Sequence, residues 1–581
     1  MPASTWGLPE QQAIQAQLVA YLQQPSVYKS LLTELGDPLK DRTDFKITHI
    51  ETHCAHVFLL GDTIALKLQK AIFFPFMNLG TLERRRSTTQ IEYVRNHQYT
   101  PELYRGLART SIQVDANGQA TGQFTPPIMI LTTNEPSDDA NSQDTANLQS
   151  SGENAEYLVV MHQFPQDALM SAIAARGQLQ PKHLDMLTDA LVRIHAQCEL
   201  IRDEDYVKQM DWIVTDNTQE LLHFAEVAPL VQQRTFIAPT LRSFQEGLVS
   251  LDCVQRLAQQ QAIALDAARP SLQRRQVEGH VRCCHGDLHT RNIVILHDEV
   301  YLFDCISFND DLTRIDVLYD LAFLLMDLQH LGLNKLANRC LNRYLAETGD
   351  YEDVHLLRLY TSTRATIRAK VACASAPALP PGDHHKPSAE AQIYTELALS
   401  LLAAPPPVIV VIAGNSGSGK STVAAELAGS IGSGIGAIHV RSDIVRKRML
   451  GVSSETRLSD AHYVESARRQ CYAALVELAN NLIAVGCGVV LDATFQDTWQ
   501  REFINDLRGA PVKCIWLDVP RATLLERIRL RDSGRDASDM NASKFEKLTL
   551  PPPPTSAPWV HIDGVGAVAN VAERVLNAVG A

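Results

Sequence analysis

Val408-Ile409-Val410-Val411-Ile412-Ala413-Gly414-Asn415-Ser416-Gly417-Ser418-Gly419-Lys420-Ser421 decides the fold of the carboxyl-terminal part of the chain. The unbroken apolar, β-branched run reads as a strand buried on both faces. The pattern G-x-x-x-x-G-K-S follows it at once and opens a helical stretch, Thr422 to Ala428. Glycines at these places let backbone N–H groups turn inward around phosphates, and the helix N-terminus adds positive potential. Gly414, Asn415, Ser416, Gly417, Ser418, Gly419, Lys420, Ser421 and Thr422 are therefore the expected phosphate cradle. Lys420 is expected on the β and γ phosphates and Ser421 on Mg²⁺.

Working outward, Ile438–Arg441, Gly488–Asp492, Val512–Asp518 and Trp559–Ile562 are further strand candidates, separated by helical patterns. Such alternation predicts a parallel sheet with covering helices, a P-loop NTPase architecture in the α/β class. Ligands gather at the carboxyl ends of parallel strands. Asp443 and Asp492 stand at two such ends. Asp443 is either a base for an acceptor hydroxyl or the N-cap of the next helix. Asp492 acts on water-coordinated Mg²⁺ or on substrate, or else only ends the strand. Arg527, Arg531 and Arg535 recur at i, i+4, i+8. They form a lid over ATP phosphates or a solvated charged face.

A second constellation lies far upstream. His285-Gly286-Asp287-Leu288-His289-Thr290-Arg291-Asn292 has the H-x-D-x-x-x-x-N spacing of a kinase catalytic loop. The spacing lets Asp287 approach an acceptor hydroxyl while Asn292 turns back to a metal. Tyr301-Leu302-Phe303-Asp304 then ends a strand, with Asp304 as the second metal ligand. Ile64-Ala65-Leu66-Lys67 reads as a strand whose lysine holds the α and β phosphates. Its partner is expected on the helix near 81–97, Glu92 first and Glu83 as the alternative. Met161 ends the run Tyr157–Met161, either as a hinge against adenine or as core. Arg364 and Arg368 share a helix face, as anion contacts or as surface charge.

On these motifs, residues 408–575 resemble small P-loop kinases related to gluconate kinases, zeta toxins and polynucleotide 5′-hydroxyl kinases. In the last of these a similar Asp is the base and an Arg contacts the acceptor phosphate. The resemblance implies those roles for Asp443 and Arg446. Residues 45–370 resemble the aminoglycoside phosphotransferase-like, protein-kinase-like family, which implies a two-lobed α+β kinase fold. Ile50-Glu51-Thr52-His53-Cys54-Ala55-His56-Val57 stands where protein kinases carry a glycine-rich loop, a departure this family shares. Together the resemblances imply a bifunctional phosphotransferase with two Mg·ATP sites, each passing a γ-phosphoryl group to a small-molecule hydroxyl. Two alternatives stand beside it: one half as a non-catalytic nucleotide-binding regulator, or the carboxyl-terminal half as a nucleic-acid 5′-hydroxyl kinase.

Length and composition bound the rest. The chain has 581 residues, enough for three to five compact units, and its 45% hydrophobic and 20% charged content is globular. A net charge of −13 disfavours a general nucleic-acid coat. Eleven scattered cysteines form no C-x-x-C pair, no leader is evident, and no apolar run reaches membrane-spanning length. A cytoplasmic protein with no membrane partner is expected. The expected organisation is a helical extension at 1–44, a kinase-like domain at 45–374, a linker with a short helix at 375–407, and a P-loop domain at 408–581. Thr132 to Glu156 is poor in large apolar residues and is expected to be a disordered hairpin loop between two strands.

Overall fold

In the computed structural model, residues 7–42, 44–74, 77–116, 119–132, 154–230, 248–375, 385–432, 434–531, 538–555 and 558–580 are described. They fall into two compact units. One is Met1–Leu179 with Cys283–Ile315; the other is Gln180–Arg282 with Asp316–Ala581.

The first unit is built on strands β1 (Ile47–Glu51), β2 (Ala55–Leu60), β3 (Ile64–Gln69), β4 (Tyr104–Val114), β5 (Ala120–Phe124), β6 (Ile128–Thr132) and β7 (Ala155–His162). They pair antiparallel in the order β1-β2-β3-β7-β4-β5, with β6 also on β4. Side chains of a strand alternate between faces, and β3 shows what that does here. Ile64, Leu66 and Leu68 enter a core with Leu18 and Leu22 of helix α1 (Leu8–Leu22). Ala65 enters the opposite core with Tyr93 of helix α2 (Leu82–Tyr99) and with Met161. Lys67 shares that second face.

The expected hairpin around 132–156 is not formed. β6 and β7 do not pair with each other; each pairs with β4, whose eleven residues run between them. Residues 133–153 of that stretch lie outside the described residues, whereas Ala155 and Glu156 belong to β7 and are buried. A short antiparallel hairpin, β8 (Ile293–Leu296) and β9 (Glu299–Leu302), completes this unit. His297 and Asp298 at its tip both have positive φ, the two-residue turn whose twist matches a hairpin.

The second unit joins a helical layer to a parallel sheet. Its helices include α3 (Pro181–Gln197), α4 (Tyr206–Leu230), α5 (Leu251–Glu278), α6 (Val317–His330), α7 (Asn334–Thr348), α8 (Leu356–Ser375) and α9 (His385–Leu402). Helix α9, inside the stretch expected as a linker, buries Ala391, Tyr394, Ala398 and Leu401 against α8 and its neighbours. Arg275 is 1% exposed and is held by Asp316 and Asp350, while Tyr360 donates to Asp316. Asp320 faces His195 at 3.3 Å. Arg364 lies buried over the Tyr319 ring at 3.8 Å, and Arg368 over Tyr394 at 5.7 Å, so aromatic faces take both guanidinium groups.

The sheet strands are β10 (Ile409–Ala413), β11 (Ile438–Arg441), β12 (Val489–Asp492), β13 (Val512–Asp518) and β14 (Trp559–Asp563). They are parallel in the order β11-β12-β10-β13-β14, the alternating α/β architecture expected. The edge strand β11 and the chain leading into it are met by helix α7. Asn338 of α7 donates to the carbonyls of Ile435 and Ala437, and the His439 N–H donates to Asn342. These amides cover groups that a bare edge would expose. Among the described residues, no helix is long and apolar enough to cross a membrane.

Asn338→Ala takes the donor from the Ile435 carbonyl and leaves the Ala437 carbonyl only its 3.2 Å contact with Asn342 Nδ2. We expect a loss of about 1–3 kcal/mol, read as a lower urea midpoint at unchanged slope. An unaltered midpoint would refute this role for Asn338.

Candidate active sites

The first site begins with Lys67 on the α2-facing side of β3. Its ammonium contacts Glu92 Oε1 at 2.7 Å and Asp304 Oδ1 at 2.5 Å. Burial disfavours the ammonium, but Asp304 and Glu92 outweigh it and hold the lysine pKa well above its ordinary value. Glu92 is 1% exposed, whereas Glu83 is exposed, so the geometry selects Glu92 as the partner. Glu92 Oε2 also accepts from Gln69 Nε2 at 2.5 Å.

Asp304 adopts φ +60°, a left-handed conformation a non-glycine residue takes only when its surroundings enforce it. Here the enforcing groups come from α2 and the chain just after it. The Asp304 N–H donates to the Tyr104 hydroxyl, the Cys305 N–H to Asn96 Oδ1, and Thr100 bonds the Leu302 backbone in both directions. Asn96, Thr100 and Tyr104 had no motif to announce them. Cys305 is buried, and burial pushes its thiol pKa far up.

The loop 285–292 supplies the other groups. Asn292 Nδ2 donates to Asp287 Oδ2 at 2.8 Å and to the Asp287 carbonyl at 3.0 Å. That commits the amide nitrogen and leaves Oδ1 as the atom able to meet a cation. His285 Nδ1 accepts from the Asp287 N–H, and its Nε2 lies 3.0 Å from the Phe303 carbonyl, which specifies the neutral Nε2–H tautomer. Gly286 has φ +81°, and a Cβ there would sit 2.7 Å from the Leu312 carbonyl, so only glycine fits. The Asp304 carboxylate and the Asn292 amide oxygen are hard oxygen donors of the kind Mg²⁺ takes. Met161 is buried in the core beside Ala65, Leu107 and Phe303, on the Lys67 face of the sheet.

The second site lies at the carboxyl ends of β10, β11 and β12. Gly414, Gly417 and Gly419 all have positive φ; a Cβ on Gly417 would stand 2.7 Å from the Leu524 carbonyl. Helix α10 (Lys420–Ala428) starts directly from this loop. The Lys420 ammonium donates to the Asn415 carbonyl at 3.0 Å. Lys420, Ser421, Asp443, Arg446 and Asp492 line one cavity of about 1240 Å³, so the structure brings the predicted groups together.

Asp443 is not an N-cap. Helix α11 (Ser442–Met449) is capped by Arg441, and Asp443 sits one residue inside, accepting from Arg446 Nη1 at 3.0 Å. Arg446 packs over the Tyr463 ring at 4.6 Å. Asp492 is buried with His439 Nε2 at 3.4 Å and Arg441 Nε at 3.6 Å. Burial alone would push its carboxyl pKa up. His439, Arg441 and Lys420 outweigh burial and hold it at about 2.

Of the lid arginines, Arg531 ends helix α12 (Arg521–Arg531) with its side chain outside the described residues, and Arg535 lies outside them altogether. Arg527 is the one seen at the site. It donates to the Ser418 carbonyl and to the Gly564 carbonyl, both at 3.1 Å, tying the phosphate loop to the turn after β14.

Residues 155–357 match the phosphotransferase enzyme family, and residues 409–550 match an AAA domain family. The chain thus joins a segment that matches the phosphotransferase enzyme family to one that matches an AAA domain family. An uncharacterized protein of Mycobacterium tuberculosis is 25% identical over 460 residues, 78% of this chain and 79% of its own length. A protein of Mycobacterium bovis matches equally. Among solved structures, a gluconokinase from Sinorhizobium meliloti is 22% identical, covering 30% of this chain and 93% of its own, at a TM-score of 0.23. A choline/ethanolamine kinase family protein from Mesorhizobium loti is 12% identical, covering 65% of this chain and 96% of its own, at a TM-score of 0.35.

The Asp492 carboxyl titrates lower when folded than when unfolded. Its contribution is thus complete above about pH 4 and disappears as pH falls toward 2, with a size of about 2 kcal/mol. Stability of wild type and Asp492→Asn, followed by denaturant titration from pH 6 downward, should converge across that window. A gap independent of pH would contradict the ion cluster.

Proposed function

We propose that this chain is a two-site, ATP-dependent phosphotransferase acting on hydroxyl groups of small molecules. The observation that carries the reading is the convergence of Glu92 and Asp304 on Lys67, from 25 and 237 residues away in sequence. That cluster has little value as a stability device, since a buried ion pair often does no better than apolar packing. It makes sense as a charge held ready for a polyphosphate.

In the first site Lys67 holds the α and β phosphates of ATP, with Glu92 fixing the ammonium. Asn292 and Asp304 are the metal ligands, and Mg²⁺ when bound neutralises phosphate charge. Asp287 takes the acceptor proton as the acceptor oxygen bonds to the γ-phosphorus and ADP departs. In the second site Gly414 to Thr422 cradle the phosphates. Lys420 pairs with β and γ, Ser421 and Asp492 serve the metal, Asp443 is the base, and Arg446 holds an anionic part of the acceptor. Arg527 braces the cradle, with Arg531 and Arg535 extending the lid.

One observation favours a second reading of the P-loop site. Arg468 and Arg469 flank the Trp499 ring at 5.3 and 4.5 Å, an aromatic–basic cluster able to take a nucleobase. Salt-dependent binding of an oligonucleotide, lost in Trp499→Ala, would establish a nucleic-acid acceptor; binding indifferent to both would dismiss it.

The test uses the full-length chain with radiolabelled ATP and a hydroxyl-metabolite library, scored for a mass gain of one phosphate. Asp287→Asn should cut one set of products by about 10²–10⁴-fold and spare the other. Lys420→Ala should do the reverse. Two-site activity surviving in Asp287→Asn would sink the assignment of the first site.

A further inference from the structure

Helix α1 turns a polar stripe onto the sheet. Its buried positions are Gln11, Gln15, Leu18 and Leu22. The leucines join the apolar core and would anchor the helix by themselves. A buried glutamine is different, because its amide costs free energy unless donor and acceptor are both satisfied. Gln15 is 4% exposed. Its Nε2 donates to the Gln69 carbonyl at 2.8 Å and to Glu156 Oε1 at 3.2 Å, and its Oε1 accepts from the Ala71 N–H at 2.7 Å.

Those partners lead to Glu92 by two routes. Gln69, which ends the strand bearing Lys67, donates its own amide to Glu92 Oε2. Glu156 grips Arg85 through three contacts of 2.7–3.1 Å. Arg85 lies seven residues before Glu92 on α2, two turns away on the same face. Gln69, Arg85, Glu92 and Glu156 are all buried. The strand end and the helix that together present the Lys67–Glu92 pair thus meet at one carboxamide.

We propose that α1 is a built-in positioning element of the Lys67 site and that Gln15 is the positioning residue that sets the Lys67–Glu92 pair, which rests on the reading of Lys67 as a phosphate ligand. The extension is then part of the kinase, and displacing it loosens the grip on nucleotide without touching a group that meets substrate.

The test uses the full chain carrying Lys420→Ala, so that Mg·ATP calorimetry reports on the Lys67 site. Gln15→Met keeps the volume and removes the amide. It should weaken Mg·ATP by about fivefold or more and speed hydrogen exchange across residues 82–99. In a Lys67→Met background it should change affinity no further, and Gln17→Ala on the exposed face of α1 should change neither readout. Gln69→Leu, which cuts only the relay to Glu92, should repeat the affinity loss if Gln15→Met fails to fold. Affinity within twofold, or an equal loss with and without Lys67, overturns the proposal. If the Lys420→Ala chain binds no ATP, the nucleotide reading falls, and exchange across 82–99 decides alone: unchanged exchange rejects the positioning role, faster exchange keeps it.

Discussion

An ammonium under a sheet face must be paired, and Lys67 is paired twice. Removing a charge from water costs several kcal/mol unless its partners stand at contact distance. Glu92 can do so only if α2 keeps its rotation and height. Asp304 can do so only if the chain after β9 holds its left-handed turn. Much of the first unit answers those two demands. Asn96, Thr100 and Tyr104 hold the turn, while Gln15, Gln69, Glu156 and Arg85 hold the helix.

The P-loop site solves the same electrostatic problem with backbone in place of paired side chains. Glycines at 414, 417 and 419 let the loop close where any Cβ would strike a carbonyl or strain its own φ. Lys420 rests on the Asn415 carbonyl, and buried Asp492 is kept ionised by His439, Arg441 and Lys420. His439 and Arg441 come from the edge strand, whose backbone is held in turn by Asn342 of the helical layer. The helical layer therefore supports the strand that leads into helix α11 and its candidate base Asp443.

Local patterns were legible where the chemistry is packed into a few residues. G-x-x-x-x-G-K-S and H-G-D-L-H-x-x-N place their groups by short backbone geometry, and the structure keeps them together. Glu92 could be preferred over Glu83 but not chosen, since both lie on the same helix and only packing buries one of them. Asp443 shows the reverse case. A strand end followed by a helix suggests an N-cap, yet the helix starts one residue earlier and frees the carboxylate to meet Arg446. Arg364 and Arg368 read by spacing as anion contacts or as surface charge, and the structure sets each over an aromatic ring.

By itself the sequence determined the parallel P-loop sheet, its loop, and the order of acidic and amide groups in the upstream motif, because strand periodicity and short-loop geometry are local. Tertiary structure alone decided that β6 and β7 flank β4 without pairing, that α9 is core, and that Arg527 reaches the phosphate loop. It also decided that a glutamine at position 15 stands behind the lysine at 67. Those facts depend on which surfaces meet across long stretches of chain, where burial and hydrogen-bond satisfaction choose among partners that no local pattern distinguishes.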